Sequence, residues 1–325
     1  MQQTALIRLG DGSFRQTDSI VECVKALRQP DSLAWLDLDE PDEWTLALMG
    51  EAFEFHPLAV EDCLHGEQRV RIDPYGDYFF MVIYVPTRED GGGPLQSREL
   101  ALFCSARYIV TVHHQPIEKL GSLLQRCRRD PATFLSRGMD HLLYLIVDSA
   151  VDQYGPILEC LEEETTELED RALDDPSPEV LERLTGIKSE LLQIRRFLGP
   201  VRDVVAQLAR GEFGFVGPQM QLYFRDILDH LTRTIEMIEV YRDLVSGARD
   251  IYLSSMSQRL NEVMKVLTIF ATIMLPLSLV TGIYGMNIEH LWPPTDRPWS
   301  FLVVLGIMAA IAIGLLYFFR RRRWI

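Results

Sequence analysis

Seven positions near the C-terminal end of the chain combine a carboxamide, small residues and bulky apolar side chains at helical spacing. Asn261, Met264, Leu267, Ala271, Leu275, Ser278 and Gly282 are separated by 3, 3, 4, 4, 3 and 4 residues, so they share one helix face. Positions opposite, such as Ile269, Ile273 and Val280, are apolar and suit lipid or a second helix. Small residues along a membrane helix ordinarily mean close packing. Lining a water path is the other reading, and it requires symmetry-related copies, because one helix encloses nothing. No charged residue occurs from Val266 through Ile288. An ion passing along this face would meet neutral oxygens and water, and no carboxylate is available for an intramembrane proton relay. The run ends in Tyr284-Gly285-Met286-Asn287.

No catalytic constellation accompanies it. His113-His114 sits at a strand end without a Ser, Cys or Asp motif and reads as structural. Gly91-Gly92-Gly93 lacks the strand and helix context of a phosphate-binding loop and reads as a hairpin connection. Cys23, Cys63, Cys104, Cys127 and Cys160 are scattered with no CxxC, as reduced thiols are. His290 has no partner at ligand spacing. These patterns argue against an enzyme and a structural zinc site.

The elements that must position the stripe follow from hydropathy. The uncharged run from Val266 exceeds the ~20 residues needed to cross a hydrocarbon core. A second run, Pro298 to Phe319, is closed by Arg320-Arg321-Arg322-Arg323. That cluster places the C-terminus in the cytoplasm, and two spans return the chain to its starting side. The first residues contain no apolar signal core, so the preceding soluble part is expected to be cytoplasmic too. Trp292 and Trp299 suit interface anchors, and Glu289 and Asp296 in the outer loop would raise the local cation concentration. Pro276 removes one ladder bond and frees the Thr272 carbonyl.

Upstream, Leu231, Ile235, Ile238, Val245, Ala248, Tyr252, Met256, Val263 and Leu267 recur at threes, fours and their sums. With no proline between Gln219 and Pro276, one helix is predicted from about Pro218 to Tyr284. At ~1.5 Å per residue it would be roughly 100 Å long, a stalk continuous with the first span. Residues 116–217 read as a helical hairpin region, with helices over Ile117–Arg128, Asp140–Leu173 and Glu179 to about Ala209. The acidic run from Glu159 to Asp170 reads first as a solvated face and second as a cation-attracting collar.

Residues 1–115 read as an α/β domain. Strands are predicted at Thr4–Leu9, Leu33–Leu38, Tyr78–Val85, Leu100–Cys104 and Tyr108–His113, and helices at Ser19–Leu27, Pro41–Phe53 and Pro57–Leu64. Pro41 and Pro57 suit first-turn positions. The chain carries 32 Lys and Arg against 47 Asp and Glu, a formal charge of −15, which argues against nucleic acid and is compatible with cations. The fold class is thus an α+β membrane protein. It has an N-terminal cytoplasmic α/β domain with a helical hairpin, and a stalk over 218–265. A first span over 266–287, an outer loop over 288–298, a second span over 299–319 and a basic tail over 320–325 complete it.

At Tyr284-Gly285-Met286-Asn287 the sequence resembles the CorA family of divalent-cation channels, whose signature is Gly-Met-Asn at the end of the first of two C-terminal spans. Asn261-Glu262-Val263-Met264-Lys265-Val266-Leu267-Thr268, Met274-Leu275-Pro276-Leu277, the short acidic loop and the basic tail carry the same likeness. The resemblance implies a homopentamer in the inner cell membrane that passes Mg²⁺, with Co²⁺ or Ni²⁺ as further cargo. Asn287 would form the outer-mouth ring that receives hydrated Mg²⁺, a small ion that gives up water reluctantly. Gly285 would permit the turn, and Tyr284 and Met286 would hold the loop. Gly282, Ser278, Leu275, Leu267 and Asn261 match pore-lining positions, with Leu267 and Leu275 as the hydrophobic constriction. Leu275 and Ser278 stand where the best-known member of that family has Met and Thr.

Tyr223-Phe224-Arg225-Asp226 resembles the segment carrying the family's regulatory aspartate. Asp226 would face acids of a neighbouring subunit, with Asp90 or Glu89 as candidate partners, and bound Mg²⁺ would bridge them. Two other readings stand beside this one. A zinc transporter of the ZntB type is opposed by Met286 between the Gly and the Asn. A membrane-anchored scaffold would need neither Asn287 nor a polar stripe.

Overall fold

The computed structural model describes residues 2–66, 68–88, 93, 95–286, 292–293 and 298–324. It divides into two compact units: Met1–Asp170 with Pro178–Ala248, and Arg171–Ser177 with Arg249–Ile325.

The first unit is built on one sheet. Strands β1 (Gln2–Arg8) and β2 (Phe14–Thr17) precede helix α1 (Ile20–Leu27), then come β3 (Leu33–Asp39), α2 (Glu43–Phe53) and α3 (Pro57–His65). Strands β4 (Arg71–Tyr75), β5 (Tyr78–Thr87), β6 (Gln96–Ser105) and β7 (Tyr108–His113) complete it in the order β2-β1-β3-β7-β6-β5-β4. Only β3 and β7 pair in parallel; the other neighbours are antiparallel.

Alternation along the strands divides the core between two faces. Phe80, Val82, Ala101, Phe103, Val110 and Val112 pack with Ile20, Cys23, Leu46, Met49 and Ala59 from α1 to α3. Phe79, Met81, Ile83, Leu102 and Ile109 alternate with them and are equally buried. That opposite side meets α6 (Met139–Val151), which follows α4 (Glu118–Arg129) and α5 (Pro131–Leu135), and α8 (Pro178–Ala209), which follows α7 (Tyr154–Asp174). Phe55 and Phe103 stack at 4.1 Å, with Phe80 4.8 Å from Phe103.

Several predicted boundaries shift for identifiable reasons. Pro41 lies outside α2, because Asp42 caps it by accepting the Thr45 N–H at 2.8 Å. Pro57 does occupy the first turn of α3. The helix expected over Asp140–Leu173 is two helices, broken at Asp152 and Gln153. Pro156 has no N–H to return to the Asp152 carbonyl, and Gly155 beside it weakens the turn. The break lets α6 bury seven residues while α7 pairs with α8 in the hairpin. Strands β2 and β4 have no sequence-level counterpart. Both are sheet edges; β2 is mostly exposed and β4 contains Pro74.

His113 has the structural place its sequence context suggests. It is buried, with Asp37 at 3.4 Å and Asp39 at 3.3 Å, and its Nδ1 donates to the Gln115 carbonyl at 2.9 Å. Burial opposes a charge there, but the hydrogen bond and charge of Asp37, with Asp39, outweigh it and raise the imidazole above its usual pKa.

The second unit holds the two candidate spans. Helix α9 (Pro218–Tyr284) is a continuous helix of 67 residues and supplies the first; α10 (Pro298–Arg321) supplies the second. Its other part, the tip of the α7–α8 hairpin, is tied to α9 by Arg259. That guanidinium meets the Asp175 carboxylate at 2.9 Å and the Asp174 carbonyl at 3.0 Å.

The aromatic stack gives a direct check on the sheet unit. Phe103→Ala is expected to cost about 3–5 kcal/mol, seen as a lower midpoint of chemical denaturation; an unchanged midpoint would mean that the stack contributes little.

Candidate functional site

Two regions of α9 carry the residues singled out by sequence. The outer region is the apolar stretch. All seven stripe positions, Asn261, Met264, Leu267, Ala271, Leu275, Ser278 and Gly282, are exposed, with Leu267 and Leu275 retaining 58% and 71% of their surface. Half-buried positions recur on the other side at Ile269, Ile273, Leu277, Val280 and Tyr284. Helix α10 shows the matching pattern at Val304, Met308, Ile311, Leu315 and Phe319. One partly covered face on each helix is what a two-helix hairpin produces, and it leaves the stripe on the uncovered side.

Gly282 faces open space among the described residues. A side chain added at Gly282 would meet nothing within 4 Å. Close packing inside one chain therefore does not account for Gly282. At the inner end, Asn261 and Met264 border a cavity of about 680 Å³ together with Glu262, Lys265, Thr268 and Trp324.

The outer end of the helix is held by specific bonds. Gly285 still donates to the Thr281 carbonyl at 2.9 Å, and Met286 to that of Ile283 at 3.2 Å. A Cβ at Gly285 would stand 3.2 Å from the Thr281 oxygen, so a larger residue would push the chain off this path. The Tyr284 hydroxyl donates to the Trp292 carbonyl at 2.6 Å and ties the loop to the helix end. Met286 is exposed. Asn287, Glu289 and Asp296 lie outside the described residues, as do Glu89 and Asp90.

The inner region surrounds Asp226, which is exposed on α9. Sequence reasoning had not placed acids of the same chain beside it. Asp148 on α6 is half-buried, and burial with the charges of Asp152 and Asp226 pushes its carboxyl up to about 6, against a smaller opposing effect of His230. Asp152, which caps α6, stands 3.8 Å from the His230 ring. Tyr144, raised by burial and by the same three aspartates, packs on Tyr223 at 5.2 Å. The spacing of Asp148 and Asp152 along the chain was a readable signal; the helix break that presents them was not. Among the described residues no three His, Cys, Asp or Glu side chains converge to cage a metal ion. The cluster is a concentration of negative charge on one chain that His230 offsets only in part.

The acidic run of α7 is partly consumed internally. Glu162 accepts the Tyr241 hydroxyl at 2.7 Å, and Glu164 is bound by Arg183 and by Arg88.

Comparison with known proteins bears on the whole chain. The family model described as "CorA-like Mg2+ transporter protein" matches residues 30–321. The cobalt/magnesium transport protein CorA of Thermotoga maritima is 33% identical, over 96% of this chain and 88% of that protein. The protein of the same name from Methanocaldococcus jannaschii is 28% identical over 90% of this chain and 92% of its own length. The solved complete structure of the CorA magnesium transporter from M. jannaschii superposes with a TM-score of 0.83 at 26% identity, covering 99% of this chain and 98% of that one.

The Asp148 environment predicts a pH response. Its folded pKa lies above the unfolded value near about 3.9. The stability it contributes is therefore present below that value and lost as pH rises through about 6. With chelator present, Asp148→Asn should melt higher than the parent at neutral pH, and the difference should shrink as pH falls through this window. Parallel pH profiles would contradict the assignment.

Proposed function

Since the chain belongs to the family of CorA-like Mg²⁺ transporter proteins, we propose that it is a channel for Mg²⁺, with Co²⁺ as further cargo. The observation that carries this reading is the bare stripe from Asn261 to Gly282, set on the face of α9 opposite the half-buried one and leading to Gly285-Met286-Asn287. A helix that presents amide, hydroxyl and small residues on an uncovered face within a span is built to meet further copies of itself around an axis. The copy number we infer is five, from family resemblance; the geometry of one chain requires only an oligomer.

In this mechanism Asn287 side-chain oxygens form a ring at the outer mouth and hydrogen-bond the water shell of Mg²⁺. Outer-sphere contact costs less than stripping water from so small an ion. Further in, Ser278, Gly282 and Asn261 supply hydroxyl, backbone and amide oxygens, while Leu267 and Leu275 form a narrow apolar section that closes by dewetting. Glu289 and Asp296 concentrate cations outside. Arg320–Arg323 keep the C-terminus on the cytoplasmic side of the inner membrane, with the N-terminal unit on that same side.

Gating follows from the acid cluster. Asp226, which adds its charge to that of Asp148 and Asp152, is poor at meeting further acids such as Glu89 or Asp90 of a neighbouring subunit. Bound cytoplasmic Mg²⁺ would neutralise that meeting and hold a closed, symmetric state; its loss would let the subunits separate and the pore wet.

Two experiments test the reading. In liposomes with low internal Mg²⁺, Asn287→Ala should reduce Mg²⁺ uptake by about tenfold or more, or about 1.4 kcal/mol. Unchanged uptake would remove Asn287 from the mechanism, faster Zn²⁺ than Mg²⁺ flux would favour a zinc transporter, and no flux at all would favour a scaffold. Asp226→Ala should raise the Mg²⁺ concentration needed for closure by about fivefold or more; unaltered inhibition would refute the gating role.

A further inference from the structure

Between the segment that leads into β4, strands β5 and β6, and helix α8, within the first unit, lies a pocket of about 680 Å³. That volume falls within the range of about 300–1,000 Å³ typical of small-molecule sites. Its floor is aromatic: the Tyr84 and Phe197 rings stack at 4.3 Å and 29°, and Phe197 remains half-exposed. Arg69, just before β4, and Arg196, on α8, both line it.

Both arginines are exposed, and neither has a hydrogen-bond or ion-pair partner among the described residues. Their neighbours behave differently. Arg195 meets Glu239 at 2.8 Å, and Arg71 is held by Asp62 and by Asp73 at 2.7 Å. In a chain with a net charge of −15, two guanidinium groups at one pocket, without a carboxylate partner among the described residues, offer an anion two positive charges. The nearby acid, Glu99, is already bound by the Gln68 N–H at 2.8 Å and lies 3.0 Å from the Tyr84 hydroxyl; it does not line the pocket.

Neutral polar groups complete the walls. Pro200 lies inside α8 and has no N–H, so the Arg196 carbonyl loses its helical donor. Gln193 donates to Ser97 Oγ at 3.5 Å, which leaves its own carboxamide oxygen available. Guanidinium forks match phosphate oxygens in geometry and charge. A half-exposed ring offers a face for a flat heterocycle, and the carbonyl, carboxamide and hydroxyl suit its polar edge.

We infer that this pocket is a binding site for a nucleoside phosphate, with Arg69 and Arg196 on the phosphates and Phe197, Gln193 and the Arg196 carbonyl on the base. A ligand seated there ties the sheet edge to α8. The inference does not depend on the transported ion, and its readout is binding rather than flux.

The test is calorimetric titration of the detergent-solubilised full chain with ADP in chelator. One ADP per chain should bind saturably, and the Arg69→Ala/Arg196→Ala double variant should bind about tenfold or more weakly. Both side chains are exposed, so that variant should melt like the parent. Gln193→Ala keeps both charges and should lose most of the preference for ADP over pyrophosphate. No saturation by about 5 mM ADP, equal affinity in the double variant, or pyrophosphate binding as tightly as ADP to the parent would each overturn the assignment.

Discussion

Across the first span the chain offers no charge. Between Lys265 and Glu289 there is no carboxylate to replace a cation's water and no basic group to repel it. Any divalent ion that passes beside α9 must therefore keep most of its hydration shell, and selection falls to hydrogen-bonding oxygens that address the shell. This explains why the stripe combines Asn261, Ser278 and Gly282 with bare leucines. Polar positions accommodate water, and apolar ones exclude it when the path narrows. It also explains why charge is kept for the ends, where solvent is at hand, and for the first unit.

The charge of the first unit is arranged differently. Asp148, Asp152 and Asp226 are brought together by two helices, and His230 offsets them only in part. Such a cluster is tolerable because it is partly solvated, but it disfavours any contact that adds further acids. A cation changes the sign of that preference. Because Asp226 and the stripe belong to one helix, α9, a change in how the inner end is held has a covalent route to the span.

Much of this was legible in the sequence because the signals were long. The stripe, the two spans and the start of α9 at Pro218 rest on periodicities sustained over many turns. The long buried strands β5 and β6 announced themselves by apolar and β-branched content. What was not legible was local or cooperative. Strands β2 and β4 are defined by their neighbours, so exposed and Pro-containing segments pair at the sheet edges. The break between α6 and α7 depended on Gly155-Pro156, a signal overridden by continuous apolar spacing on both sides. The grouping of Asp148 and Asp152 with Asp226 needs α6 and α9 to pack, which no single segment encodes. Arg69 and Arg196, without an ion-pair partner among the described residues, are 127 positions apart in the chain and come to one pocket only through the fold.

The central claim is that the face from Asn261 to Gly282 is wet. Cysteine accessibility tests it most directly. Cys160 is the exposed native thiol and the other four are buried, so Cys160→Ser gives a quiet background. In that background Ser278→Cys and Val280→Cys would be treated with a membrane-impermeant thiol reagent while Mg²⁺ uptake is followed. The account predicts block at Ser278→Cys and none at Val280→Cys, which lies on the half-buried face. Block at position 280 with none at 278 would contradict it.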